Sequence, residues 1–186
     1  MARKWFLAAL VLCQLSLTAG AAQAAPCALP EPEAAMTLDE LVEASALCLR
    51  ERQDAKAGRI FYAYSIRLRA LASLDQNPSG YGLTAKKIQA QIGAPVNRWL
   101  GGDLGEWASA LSWAREWERS SRWPEGDALF AKLGASSVEK AGALNNARRA
   151  VDKLAGDLSR IDRAAFYSKR KESRLEVRDS EFYHRR

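Results

Sequence analysis

The sequence predicts an all-α protein, an irregular helical bundle of about five to six helices with a long C-terminal helix and one N-terminal disulfide. Three observations carry that expectation. Apolar residues recur at spacings of three and four along most of the chain, no stretch alternates with the period of two of a half-buried strand, and β-branched residues are scarce beside abundant Ala, Leu, Arg and Glu. With 186 residues, 48% of them apolar and 27% charged, the chain suits one compact domain plus an extension.

Arg3 and Lys4 precede an apolar run from Trp5 to Leu17, and Ala22-Gln23-Ala24 places small residues where a signal peptidase cuts. Residues 1–24 are therefore expected to be a cleaved signal peptide, with a periplasmic or secreted mature chain beginning near Ala25. The apolar run is too short for an ordinary membrane span, so an integral membrane protein is not expected. Neither Cys13 nor Cys27 follows the small residues a lipidation site needs, and Lys4 departs from a twin-arginine motif, which leaves general secretion. Cleavage removes Cys13 and leaves Cys27 and Cys48, an even pair that an oxidising compartment would join. Closing that loop should stabilise the fold by about 3 kcal/mol and pin the arm containing Pro26, Pro30 and Pro32 to the first helix.

Thr37-Leu38-Asp39-Glu40 reads as a capping box, and Leu38, Leu41, Val42, Ser45, Cys48 and Leu49 place one stripe of the helix it opens on the core. Gly58 is the expected break or bend. A second amphipathic helix follows to Leu74, with Phe61, Tyr64, Leu68 and Leu71 inward and Arg59, Arg67 and Arg69 on the surface. Residues 75–82 are dense in turn formers. Thr84 would cap a short helix carrying Ile88 and Ile92, ended by Gly93, and Pro95 suits the first turn of another reaching Leu100. After Gly101-Gly102, Asp103 and Glu106 open a helix through roughly Arg119 that stops before Trp123-Pro124, and a short turn covers 127–133. Ser136 or Ser137 caps the longest element, with a heptad-like seam of Leu144, Ala147, Val151, Leu154, Leu158, Ile161 and Ala165. The helical domain is thus set at 25–167, and 168–186 is expected to be a solvated helix extension or a disordered charged tail.

Charge is uneven. Residues 25–58 hold three Lys/Arg against seven Asp/Glu, whereas 126–186 hold fourteen against nine, and the whole chain carries +6. A basic end can meet an acidic protein or an anionic envelope surface, and nucleic acid is a poor partner for an exported chain.

Trp99, Trp107, Trp113, Trp117 and Trp123 crowd one window, interleaved with Arg115, Arg119 and Arg122. Trp107 with Leu111, and Trp113 with Trp117, occupy displaced faces of one helix, so one inward stripe holds them all with difficulty. They either pack between helices or form a partner-binding surface, since Trp and Arg are enriched at hot spots. Gly80-Tyr81-Gly82-Leu83-Thr84-Ala85 matches the letters of a dinucleotide fingerprint but lacks the preceding strand. With His184 in the charged tail and two mature cysteines, no nucleophilic or zinc constellation assembles. Of the carboxylate pairs, Asp103 and Glu106 read as a cap, and Glu116 and Glu118 diverge on their helix.

The expectation is an exported, non-enzymatic protein-binding module of the adaptor, inhibitor or immunity-protein type. It would have no cofactor or metal and would bind a secreted or envelope partner through those tryptophans and arginines, with a homodimer through the C-terminal helix as a further option. The alternative is a peptidoglycan-binding protein stacking sugars on the tryptophan cluster, with Asn97, Asp103 and Glu106 as hydrogen-bonding groups.

Overall fold

The computed structural model describes residues 27–179, so the expected signal peptide, with Cys13, and the end of the tail, with His184, lie outside the described residues. Among the described residues the fold is all-helical, with eight α-helices, one π-helical turn and no strand beyond an isolated bridge between Ala35 and Arg122.

α1 (Leu38–Arg50) opens with the expected capping box: Glu40 N donates to Thr37 Oγ1, and Thr37 N donates to Glu40 Oε2. Cys27 and Cys48 form a disulfide, Cα to Cα 4.9 Å, tying the N-terminal arm to the buried side of α1. The break expected at Gly58 falls instead at Arg52, whose φ of 59° reverses the chain. Arg52 N donates to Leu49 O and Gln53 N to Cys48 O, the two bonds of a left-handed helix C-cap.

α2 (Asp54–Leu74) therefore runs through Gly58 without interruption. The glycine is there for packing: a Cβ would lie 2.9 Å from Leu100 Cδ1 and 3.4 Å from Val96 Cγ1, so its absence lets α4 (Ala94–Leu100) approach. α2 is the central element and touches α1, α4, α5 (Leu104–Ser120) and α7 (Ser137–Ser159).

α3 (Tyr81–Ile88) begins before Thr84 because Asp75 receives Tyr81 N at 2.6 Å and Asn77 N at 2.9 Å, a stronger cap than the Thr84 hydroxyl, which donates to Gly80 O. Gly93 does not end this stretch. The chain widens into a π turn (Gln89–Gly93) and continues into α4, with Ala94 N donating to Gln89 O. Pro95 explains the widening, because its ring would crowd the Gln91 carbonyl in an unbroken α-helix.

Asp103 accepts Glu106 N to cap α5, and Ser136 forms a capping box with Glu139 at the start of α7 after the short α6 (Gly126–Lys132). The long C-terminal helix is shorter than expected. It stops at Ser159, and Asp162 accepts Ala165 N to start a separate α8 (Arg163–Glu172). The cap competes with continuation, which splits the seam: Ala147, Val151 and Leu158 are buried within the molecule on α7, whereas Ala165 is exposed.

The tail extends the helical fold and is solvated in part: residues 171–174 and 176 are exposed, Leu175, Val177 and Arg178 are half-buried, and Arg170 and Asp179 are buried. α8 ends at a second left-handed cap, with φ 56° at Arg174, and residues 175–179 return across the entry to α5, where Gly102 O accepts Arg178 N and Asp179 N. Tyr167, fully buried, accepts Leu104 N at 2.8 Å and is hydrogen-bonded to Asp179. Polar contacts hold this segment, which is why it shows no apolar periodicity.

Candidate functional site

The tryptophans do not gather into one exposed patch; each is fixed by a different part of the fold. Trp117 is 3% exposed, stacks on half-buried Trp113 with centroids 5.9 Å apart, and donates its indole N–H to Glu31 O. Trp123 meets Phe130 edge to face at 5.6 Å. Trp107 donates to the Tyr62 hydroxyl at 2.7 Å, and that hydroxyl donates to Asn97 Oδ1. Burial pushes the Tyr62 phenol up to about 12.

Between Trp117 and Trp123 lies Arg67, which the helical periodicity assigned to the surface. It is fully buried, with its guanidinium carbon 5.1 Å from one ring centroid and 5.2 Å from the other. Its Nη1 donates to Met36 O at 2.5 Å, and its Nη2 donates to Ser121 Oγ and Arg122 O at 2.8 and 3.1 Å. Burial lowers its pKa to about 10, against the opposing pull of Glu118 and Glu125. One cation thus joins α2, the N-terminal arm and the α5–α6 connection, and its role is architectural.

The arginines near the tryptophans divide into two groups. Arg115 is paired with Asp152 at 2.8 Å, while Arg119 and Arg122 are exposed and make no side-chain hydrogen bond or ion pair among the described residues. The carboxylates are committed to the fold: Asp103 caps α5, Glu106 accepts from Arg178 at 2.9 Å, and buried Glu118 accepts from Arg148 at 2.6 Å. Glu116 is exposed and accepts from Ser112. Asn97, Asp103 and Glu106, the groups a glycan would use, are thus all hydrogen-bonded within the protein. Among the described residues no cluster of His, Cys, Asp and Glu is suited to a metal ion.

Sequence reasoning missed a groove of about 600 Å³ where the α1–α2 turn, α4 and the C-terminal segment meet. Arg170 builds one wall by donating to Arg98 O at 2.8 Å and to Glu176 O, close enough to Gly101 that a Cβ there would lie 2.6 Å from its Nη1. Arg178 braces the other side: its guanidinium lies 3.3 Å from the Trp99 ring centroid and donates to Trp99 O and Glu106. Arg52, Arg98 and Arg174 surround the opening, all exposed and without side-chain partners among the described residues. Pro95, Trp99 and Leu175 supply apolar lining, and Asp54 and Glu176 supply two carboxylates. The signal available in the sequence was partial, because Trp99 and the basic tail were both conspicuous but their adjacency is tertiary.

Comparison with known protein families, curated proteins and solved structures finds no match for this chain. The disulfide is formed, and no helix among the described residues is long and apolar enough to cross a membrane.

Proposed function

We propose that the chain is an exported, periplasmic, non-enzymatic protein-binding module of the adaptor, inhibitor or immunity-protein type, recognising an acidic partner through exposed arginines. The observation that supports it is how the charges are used. Buried Arg67 and Arg170 are each tied to backbone carbonyls of the fold, while Arg52, Arg98, Arg174, Arg119 and Arg122 are exposed and without side-chain partners among the described residues. Arg beside a half-buried Trp is the composition of interface hot spots, and the planar guanidinium matches a carboxylate in two-point geometry. The tryptophans contribute mostly by holding this surface rigid, with Trp99 the one that also lines the groove.

The test is capture from envelope and secreted fractions with the mature, disulfide-bonded protein, its Arg98→Glu/Arg174→Glu and Arg119→Glu/Arg122→Glu variants, and Trp113→Ala. Binding of an acidic protein that weakens with salt and is lost in one of the arginine variants supports the reading. Equal recovery by every form, or sedimentation with purified cell wall at high salt, refutes it.

A further inference from the structure

We infer that the groove bordered by Arg52, Arg98 and Arg174 seats an extended acidic segment of a protein partner, these guanidiniums taking its carboxylates and Pro95, Trp99 and Leu175 taking an apolar side chain. The inference rests on the protein-binding reading and adds the site and the chemistry of its occupant.

Helix termini carry it. Among the described residues three helices end in the same left-handed cap. At α6, Gly134 takes the positive φ of 71°, with Gly134 N donating to Ala131 O and Ala135 N to Phe130 O. At α1 and α8 the same pair of bonds forms, but the left-handed residue is Arg52 or Arg174. Glycine is the unstrained choice in this conformation, and an arginine there is held at a cost to the fold. Attraction of a cation to a helix C-terminus does not account for it: α1 already has Arg50 in its last turn, and α8 has Lys169, Arg170 and Lys171. The two strained arginines line the same groove. Backbone strain retained at two positions that meet in one cleft is the mark of a surface kept for binding.

The lining decides the ligand class. The free guanidiniums of Arg52, Arg98 and Arg174 sit on long, exposed side chains spread around an open groove rather than converging on one compact point. Asp54 and Glu176 interrupt the positive field, which disfavours a dense polyanion or an anionic lipid surface and suits a chain whose carboxylates are spaced apart.

The test titrates the mature protein with a fluorescent Asp/Glu-rich peptide containing one leucine, its Asn/Gln counterpart, inorganic phosphate and phosphatidylglycerol vesicles. The acidic peptide should bind and weaken as salt rises, and the other probes should not. Arg98→Gln/Arg174→Gln should weaken it about tenfold, each exposed pair being worth up to roughly fivefold, while Arg119→Gln/Arg122→Gln leaves it unchanged. Arg52→Gly/Arg174→Gly should weaken the peptide while raising the urea midpoint, a separation that a purely structural role would not give. Peptide binding indifferent to the groove variants, no binding at all, or preferential vesicle binding overturns the inference. If a partner is still captured through Arg119 and Arg122, the protein-binding reading survives that failure; if no form captures one, both fall.

Discussion

Replacing Arg67 with methionine keeps much of the side-chain volume and removes the charge, so the change in stability isolates the polar network. Met36 O loses its donor inside the protein, Ser121 Oγ loses one, and Arg122 O is left with Met36 N alone at 3.3 Å. At about 2 kcal/mol for the orphaned Met36 carbonyl and about 1 each for the Arg122 carbonyl and the hydroxyl, this costs roughly 4 kcal/mol. Loss of the two ring contacts with Trp117 and Trp123 adds about 1 kcal/mol. Against this stands the relief of burying a cation, which the lowering of the Arg67 pKa to about 10 puts near 3 kcal/mol. The net expectation is a loss of about 2 kcal/mol, or roughly 4 to 8 °C in Tm for a domain of this size. Urea unfolding followed by tryptophan fluorescence measures it, and hydrogen exchange should show Met36 N and Arg122 N, whose acceptors lie across the arm, opening first. Arg67→Lys should recover little, because a point charge cannot replace a fork reaching three acceptors. A methionine variant as stable as the parent would refute the reasoning and show that desolvation outweighs the network.

Other outcomes follow from the same contacts. Reducing the disulfide, or replacing Cys27 and Cys48 with alanine, should cost about 3 kcal/mol in urea unfolding and release the arm that supplies Met36 O to Arg67; an unchanged midpoint would mean the arm holds without the link. Arg52→Gly and Arg174→Gly should each raise stability by about 0.5 kcal/mol, since relief of left-handed strain exceeds the extra entropy of an unfolded glycine; a drop in the urea midpoint would show that the side chains themselves hold the fold. Burial pushes the phenols of Tyr62, Tyr64 and Tyr167 up to about 12, so the native state keeps protons that the unfolded chain releases near pH 10. Their stabilisation is complete below pH 10 and is lost as pH rises through about 12, with depressed Arg67 opposing it in part. The urea midpoint should therefore fall steadily above pH 10, and a flat profile to pH 12 would contradict the burial of these rings.

Features encoded locally were legible in the sequence. Both capping boxes are four-residue devices, and Thr37 and Ser136 sit where they were expected. The cysteine pair followed from counting. Gly58 was misread because glycine marks a break and a close helix crossing with the same letter. The true break at Arg52 carries no local signal, since arginine is a poor left-handed residue. Arg67 was placed outside because a helix with one inward face should expose it. α2 is surrounded by other helices, and the aromatic rings that enclose Arg67 come from α5 and beyond, far along the chain. The candidate site was legible only in part. The window at 97–123 contained Trp99, and the tail contained Arg174, but the groove also needs Arg52, and only the return of residues 175–179 across Gly102 brings the tail to Trp99.

The most direct test is an NMR titration that follows the side-chain Nε–Hε signals of the arginines and the indole of Trp99 as the acidic peptide is added. Arg52, Arg98 and Arg174 should shift together with Trp99, in proportion to the bound fraction, while Arg119 and Arg122 stay fixed. Shifts confined to Arg119 and Arg122, or a bound peptide that leaves the groove signals unmoved, would contradict the assignment of this groove as the partner site.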